Sequence, residues 1–486
     1  MYAFIEGNIW KVALGINYAL VIVFSIFIVL KNSNPIRTLS YLFALAALPF
    51  LGLLVYYFIG QDYRKYKIFE KKSILDHAVL KDWRQSFGFT RREDKEFEEE
   101  FGAGIYKIYK LLRNNEKAVV TFDNKAKILL NGENKFKSLL ADLEGAGSHI
   151  HMEYFILRDD ELGMKIINVL CKKAKEGVKV RLIYDDVGSS ISSSTKRKLT
   201  DCGVDHHAFM PVVFTKFTSK LNYRNHRKIA IIDCCIGYIG GINIERKYDN
   251  SMGNDRYWRD THLRLEGDAV GSLQASFLLN WNFVSNADIN INEVLKPPVK
   301  DSGNTIAVQI ASSGPDTDWA NIMEAIFTTI NTAKDYIFIT TPYLIPNGEI
   351  LTALTTASRS GVDVKIIIPW KSDSWAAQYA SDSYIGQLLE SGVEIYRYKK
   401  GFIHAKTMVI DDILSSIGTA NLDYRSFSVN FEINALLYDR GIGEQMHKIF
   451  LDDLRDSEEV VLERWENRGL SRKLKESFCR LWAPLL

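Results

Sequence analysis

Cysteine is scarce and unpatterned in this chain of 486 residues. The five present (Cys171, Cys202, Cys234, Cys235 and Cys479) form no CxxC pair and no evenly spaced set. That argues against a zinc centre and a disulfide framework, and reduced thiols in a cytosolic compartment are the expectation. Charge of one sign is also lacking: 61 Lys and Arg against 59 Asp and Glu leave a formal net charge of +2. Such a balance carries no global signal for nucleic-acid binding, and no nucleic-acid partner is expected. With 47% hydrophobic residues the chain is neither wholly disordered nor a small stapled scaffold. Its length allows about three units at roughly 150 residues each.

What the averages conceal lies in the first sixty residues. Two uncharged apolar stretches, Val12 to Leu30 and Leu39 to Ile59, run for 19 and 21 residues, each enough to cross a bilayer as a helix of about 20 residues. The break between them, Lys31 to Thr38, holds Asn34 and Pro35, which favours a helical hairpin over one continuous helix. A cleaved signal peptide and a buried core hairpin are the alternatives, but no small-residue cleavage site separates the stretches. Two spans leave both flanks on one side. Residues 61–75 carry Arg64, Lys65, Lys67, Lys71 and Lys72, against Lys31 and Arg37 in the turn, so the soluble part is expected on the cytoplasmic face. Beside an anionic leaflet each of these cations contributes on the order of 1 kcal/mol.

Residues 61–117 read as a charged helical connector, with Glu96, Glu98, Glu99 and Glu100 as a solvated face rather than an acid catalyst. Beyond it, β-branched runs (Val119 to Phe122, Ile150 to Leu157, Val178 to Tyr184, Tyr336 to Thr340, Val362 to Pro369) alternate with helical patterns. That alternation predicts an α/β fold with mixed sheets flanked by helices. A repeat then fixes the organisation. His226-Arg-Lys228 to Asp233, followed by Gly240-Gly241-Ile-Asn243, matches His404-Ala-Lys406 to Asp411, followed by Gly418-Thr419-Ala-Asn421, every position displaced by 178 residues. Gly177-Val-Lys-Val-Arg181 is echoed by Gly361-Val-Asp-Val-Lys365. The soluble part is therefore expected as two pseudo-symmetric domains, residues 118–297 and 298–486, dividing near Pro297-Pro298.

One HxKxxxxD would be weak evidence, since chance produces it in roughly a few per cent of chains this long. Two copies with the same Asn-bearing tail are strong. Satisfied core histidines beside surface lysines would not explain why His, Lys and Asn recur together. Period two puts His and Lys on one face of each strand, aimed at a shared cleft. Attack on a phosphodiester suits this set. Lys228 and Lys406 would hold the non-bridging oxygens as charges, and Asn243 and Asn421 would donate to them, with no metal or cofactor required. One imidazole would be neutral as nucleophile while its partner is protonated and donates to the leaving alkoxide. Asp260 and Glu432, 34 and 28 residues after the histidine of their own half, are assigned as carboxylates orienting those rings. Asp233 and Asp411, at the far strand ends, are expected to brace turns. His149, His151, His206 and His207 are read as structural, and His262 as a strand residue near the site.

These residues resemble the phospholipase D superfamily, marked by the duplicated HxKxxxxD motif. More narrowly they resemble the bacterial cardiolipin synthases of the two-motif membrane type. Asn34-Pro-Ile-Arg-Thr38, Tyr223-Arg-Asn-His226, Tyr257-Trp-Arg-Asp-Thr-His-Leu263, Gly418-Thr-Ala-Asn-Leu-Asp-Tyr-Arg-Ser426, Asn430-Phe-Glu432 and the ending Arg480-Leu-Trp-Ala-Pro-Leu-Leu486 carry the narrower likeness. Cys234 departs from it, standing where that family usually has glycine, as does Glu245-Arg-Lys247, where a glycine and acidic run is typical. The resemblance implies a bacterial plasma-membrane enzyme. It would join two phosphatidylglycerol molecules into cardiolipin and glycerol through a phosphatidyl-histidine. His226 would be the nucleophile and His404 the acid, then base, with pseudo-symmetry leaving the reverse open. Association into homo-oligomers is left open too. Two rivals remain: a phospholipase D releasing phosphatidic acid to water, and a membrane-anchored scaffold that binds anionic lipid without chemistry.

Overall fold

Residues 9–30, 35–48, 50–53, 56, 91–115, 118–211, 223–290, 294, 305–317 and 319–485 are described by the structure, a computed structural model. The break at 31–34, the basic residues of 61–75, the end of the second apolar stretch and the boundary at Pro297-Pro298 lie outside them. The N-terminal unit and the α/β unit are taken in turn.

In the N-terminal unit the first apolar stretch forms one helix, Ile9–Leu30, of 22 residues, about 33 Å at 1.5 Å per residue. Most of its large side chains are exposed. The second stretch differs from the expected uninterrupted span. Its helix begins with Pro35 in the first turn and ends at Ala47, and the chain turns at Phe50, φ 62°. The backbone N–H freed there donates to Oδ1 of the buried Asn17 at 2.9 Å, so the polar residue inside the first helix meets the broken end of the second. Among the described residues only Ile9–Leu30 is long and apolar enough to cross a membrane.

In the α/β unit the first half forms β1 (Val120–Leu130), β2 (His149–Tyr154), β3 (Lys179–Asp185), β4 (Asp205–Phe209), β5 (Lys228–Ile232), β6 (Ile236–Gly240), β7 (Tyr257–Arg259) and β8 (Thr261–Gly267). The second forms β9 (Ile306–Ser313), β10 (Tyr336–Thr340), β11 (Leu344–Ile345), β12 (Asp363–Pro369), β13 (Glu394–Tyr398), β14 (Gly401–Ile403), β15 (Thr407–Ile410), β16 (Leu414–Gly418), β17 (Leu422–Asp423), β18 (Glu432–Tyr438) and β19 (Ser457–Glu459). The halves share one continuous sheet. From the seam outward the order is β1-β8-β6-β5-β2-β3-β4 one way and β9-β18-β16-β15-β10-β12-β13 the other, with β19 added at the far edge. At the seam β1 and β9 run antiparallel, Val120 opposite Gln309. The strands β2-β3-β4 and β10-β12-β13 are parallel, as helical crossovers demand, and the inner strands and the edge strand β19 pair antiparallel.

The charged connector is more than a solvated spacer. Helix Arg91–Asn115, broken at Gly102 (φ 83°), buries Phe97, Ile105, Ile108, Tyr109 and Leu112 in the same apolar core as Ile322 and Ile330 of the second half. Glu96, Glu98, Glu99 and Glu100 are exposed. The cysteines need a correction: Cys171 and Cys202 are joined by a disulfide, 31 residues apart, with Cα atoms 5.2 Å from each other. Their spacing carries no signal. The bond depends on the packing of helix Glu161–Lys175 against helix Ser193–Asp201, which only the tertiary fold decides.

Each repeated strand ends in a hairpin turn with two consecutive left-handed residues: Asp233 and Cys234 (φ 54° each), Asp411 and Asp412 (φ 51° and 52°). Short hairpins need positive φ there, which is why glycine is the unstrained choice. The first aspartate of each pair ties the turn to a neighbouring loop. Asp233 accepts backbone N–H groups from Gly147, Ser148 and His149 at 2.7–2.8 Å. Asp411 accepts those of Lys334, Asp335 and Tyr336 at 2.8–3.0 Å. Asp233→Ala and Asp411→Ala should each lower unfolding stability by about 1–3 kcal/mol while folded molecules keep near-normal turnover. A wild-type thermal midpoint with lost turnover would reverse this assignment.

Candidate functional site

Strand pairing between the halves builds the site. β7 and β14 run parallel, with Arg259 beside Ile403, and His404 N–H donates to the Arg259 carbonyl at 2.7 Å. The matching contact joins Asn225 to Phe431, where His226 N–H donates to the Phe431 carbonyl at 2.9 Å. Each histidine is thus pinned next to the residue that precedes the other half's carboxylate.

The consequence corrects the pairing expected from sequence. His226 Nδ1 lies 2.9 Å from both carboxylate oxygens of Glu432, and His404 Nδ1 lies 2.8 Å from Asp260 Oδ2. Each ring is held by the carboxylate of the opposite half. A carboxylate can only accept, so Nδ1 carries the proton and Nε2 presents its lone pair. Linear distance along the chain misled the assignment, because β14 and β7 cross between halves.

The two acids are supported unequally. Glu432 also accepts from Thr419 Oγ1 (2.6 Å), Ser426 Oγ (3.0 Å) and Asn430 Nδ2 (3.3 Å). Burial would raise its pKa, but the His226 ring, Lys228 and the Thr419 hydroxyl bring it below the ordinary carboxyl range. Asp260 accepts the Thr261 backbone N–H at 2.7 Å, and burial pushes its pKa up to about 6 against the opposing pull of Lys406 and Arg259. Thr419 occupies the position that Gly241 fills in the first half. A Cβ at 241 would stand 2.2 Å from Asp260 Oδ1, so glycine there is a requirement of the acid's placement. Thr419, Ser426, Asn430 and Gly241 went unassigned by sequence reasoning; Gly241 and Thr419 lie in the repeated tails, whereas Ser426 and Asn430 lie beyond them and have no counterpart in the first half.

Both lysines are buried, each donating to the carbonyl of the histidine two residues earlier, His226 and His404. Burial lowers Lys228 to about 7 and Lys406 to about 8. Burial also lowers His226 to about 4 and His404 well below its ordinary value. The lysine of the other half acts on each ring: Lys406 depresses His226, and Lys228 depresses His404. Four titratable groups from two halves therefore share one field. Burial thus favours the neutral form of both rings while no anion is bound, and the negative charge of a phosphodiester would favour protonation of one.

Asn243 and Asn421 flank these groups with part of their bonding already committed. Asn243 accepts from Ile156 N–H and donates to the Tyr248 hydroxyl at 2.9 Å. Asn421 donates to Asp423 at 3.0 Å, and its Oδ1 is buried without a partner. Each NH₂ keeps a second hydrogen for an incoming oxygen. Asp233 and Asp411 stand at the opposite strand ends, about 16 Å from the lysines along five residues. His262 is buried behind the site, its Nδ1 accepting from Ile242 N–H, and His151 stacks on Phe277 at 4.7 Å. Aromatic rings wall the rings in: Phe155 lies 4.9 Å from His226, and Trp258 5.5 Å from His404. Asp373 was not singled out from sequence; it accepts the Tyr343 hydroxyl at 2.8 Å and its charge reaches His404 and Lys406. Among the described residues no cluster of His, Cys, Asp and Glu could hold a metal.

The fold defines the class first. The structure of phosphatidylserine synthase from Haemophilus influenzae superposes with a TM-score of 0.61 at 16% identity, covering 78% of this chain and 99% of that one; at that identity the likeness is one of fold. The model of the cardiolipin synthase, PLD-like domain, matches residues 139–253 and 326–454, and a phospholipase D-nuclease N-terminal model matches 19–61. A Bacillus anthracis protein named cardiolipin synthase 2 is 40% identical over 463 residues, 94% of this chain and 88% of its own. A cardiolipin synthase of a Geobacillus strain is 38% identical over 494 residues, 100% of this chain and 97% of its own. The chain belongs to the cardiolipin synthase family of phospholipase D-like proteins.

Gly241→Ala should force Asp260 off His404 and lower turnover about 10²-fold. Gly348→Ala, where a Cβ meets nothing, should leave it unchanged. Equal rates for both variants would show that the Asp260–His404 contact is dispensable.

Proposed function

We propose that the chain catalyses phosphatidyl transfer between two phosphatidylglycerol molecules, giving cardiolipin and glycerol. One observation carries the mechanism: two neutral imidazoles, each with Nδ1–H fixed on a carboxylate of the opposite half, accompanied by two buried lysines in the same field. The near full-length relatives named cardiolipin synthase support the substrate class.

In the first step His226 Nε2 attacks the phosphorus of one lipid. As the anionic phosphodiester enters, His404 takes up a proton from solvent at Nε2; the bond to the glycerol headgroup then breaks, and the departing alkoxide takes that proton. Lys228 and Lys406 hold the phosphate oxygens, joined by the free amide hydrogens of Asn243 and Asn421. In the second step neutral His404 removes the proton from a headgroup hydroxyl of the second lipid. That oxygen attacks phosphorus, the P–N bond breaks, and His226 is regenerated.

The unequal acids support this direction. Glu432, kept ionised by four donors, suits a ring that must carry positive charge while bonded to phosphorus. Asp260, near 6, suits a pair that gains and gives up a proton each cycle. Asp233 and Asp411 are proposed as bracing residues outside the chemistry.

The chain is further proposed to cross the plasma membrane of a bacterial cell twice with its α/β unit on the cytoplasmic side. The exposed apolar helix Ile9–Leu30 and the basic residues Arg64, Lys65, Lys67, Lys71 and Lys72 support that placement.

Membranes bearing the chain and supplied with phosphatidylglycerol alone should yield cardiolipin and glycerol on thin-layer analysis; phosphatidic acid without cardiolipin would mean water is the acceptor. A rapid denaturing quench with labelled donor should leave phosphate on wild-type protein and none on His226→Ala. Labelled His226→Ala protein would sink the assignment of the nucleophile. The pH profile has a definite sign. kcat/KM should fall as pH rises through 7 to 8, where Lys228 and Lys406 lose their protons, and again as pH falls toward 4, where His226 gains one. Bound phosphate raises both lysines, so the alkaline limb of kcat should lie higher. Superimposable alkaline limbs would contradict the role given to the lysines.

A further inference from the structure

The helix Leu470–Leu481 is inside out for a helix on a globular unit. Its buried face is polar: Glu476 is 3% exposed and takes Arg472 and Arg468, and Arg472 reaches across to Asp382 at 2.9 Å. Only Cys479 adds an apolar contact there. Its outer face is apolar. Leu470 is 73% exposed, Leu474 62%, Phe478 55% and Leu481 77%, with Trp482 at 50% just beyond.

At 3.6 residues per turn the first four fall within an arc of about 80°. Lys473 and Arg480 border one side of that arc and Lys475 the other. The helix holds four cations and a single carboxylate, Glu476, which is the buried one. No negative side chain of the helix is therefore presented outward beside the apolar stripe.

We propose that this face is a docking surface for an anionic phospholipid bilayer. The helix would lie in the interfacial plane, its leucines and Phe478 among the acyl chains, its lysines at the headgroups, and Trp482 at the boundary. Charge complementarity selects this occupant. A second copy of the same face would set Lys473 and Lys475 against each other with no acid between, whereas phosphatidylglycerol supplies the opposite charge. The surface rests on the reading of the chain as a membrane enzyme but not on its chemistry. It would hold the α/β unit against the leaflet that contains the substrate.

The test uses the full chain in vesicles of phosphatidylcholine with tritiated phosphatidylglycerol. A benzoylphenylalanine photoprobe replaces Phe478 in one preparation and Leu474 in another. Both should form lipid adducts, and they should do so equally in a His226→Ala background, which separates this surface from the proposed catalysis. Lys473→Glu with Lys475→Glu should lower the adduct yield about tenfold or more. All these positions are exposed, so folding is not at stake. A crosslinked dimer, an adduct within the same chain, an absence of adduct, or a yield indifferent to charge reversal would each overturn the proposal.

Discussion

Everything in the site depends on one exchange: each half supplies the histidine for its own motif and the carboxylate for its neighbour's. A neutral imidazole held at Nδ1 can act only through Nε2, and neither half can impose that by itself. Glu432 would be a buried charge without His226, and His226 an unfixed ring without Glu432. Losing one partner leaves the other costly to bury. The catalytic arrangement is therefore also an adhesive between halves, backed by the β7–β14 pairing and the Asn225–Phe431 bridge.

The continuous sheet makes this exchange geometrically cheap. Because β1 and β9 join the halves antiparallel at the seam, the two seven-strand orders run in opposite directions away from it. β5, which begins at Lys228, and β15, which begins just after Lys406, then sit at equivalent depth on either side. One sheet hydrogen-bonded across the seam resists hinging there more than two separate sheets would. This suits a reaction in which one phosphorus must be bracketed throughout.

How much of this could be read from the sequence follows from the range of each interaction. The repeat, the buried strands after Lys228 and Lys406, the position of Asp233 and Asp411 at the far strand ends, and the two carboxylates that meet the histidines are local or duplicated signals, and each was legible. The crosswise pairing was not. It is decided by three-residue strands, β7 and β14, whose partners lie about 140 residues away, and nothing in their composition names a partner. The Cys171–Cys202 bond and the broken second apolar helix escaped for the same reason. Asn17 and Phe50 are 33 residues apart, and neither residue alone marks a break.

The departures from symmetry are where the two halves of the site cease to be equivalent. A perfect duplication would give two equal acids and two equal bases, with no preference for which ring attacks. Position 241 against 419 breaks the tie: glycine lets Asp260 sit unsupported by a hydroxyl, and threonine adds a donor to Glu432. Burial is common to both acids, so the difference in donors decides their order. One carboxyl stays ionised, while burial lifts the other to about 6. The same burial that brings Lys228 to about 7 leaves the lysines poised to regain full charge when an anion enters, so part of the cost of burying them is returned at the moment phosphate binds.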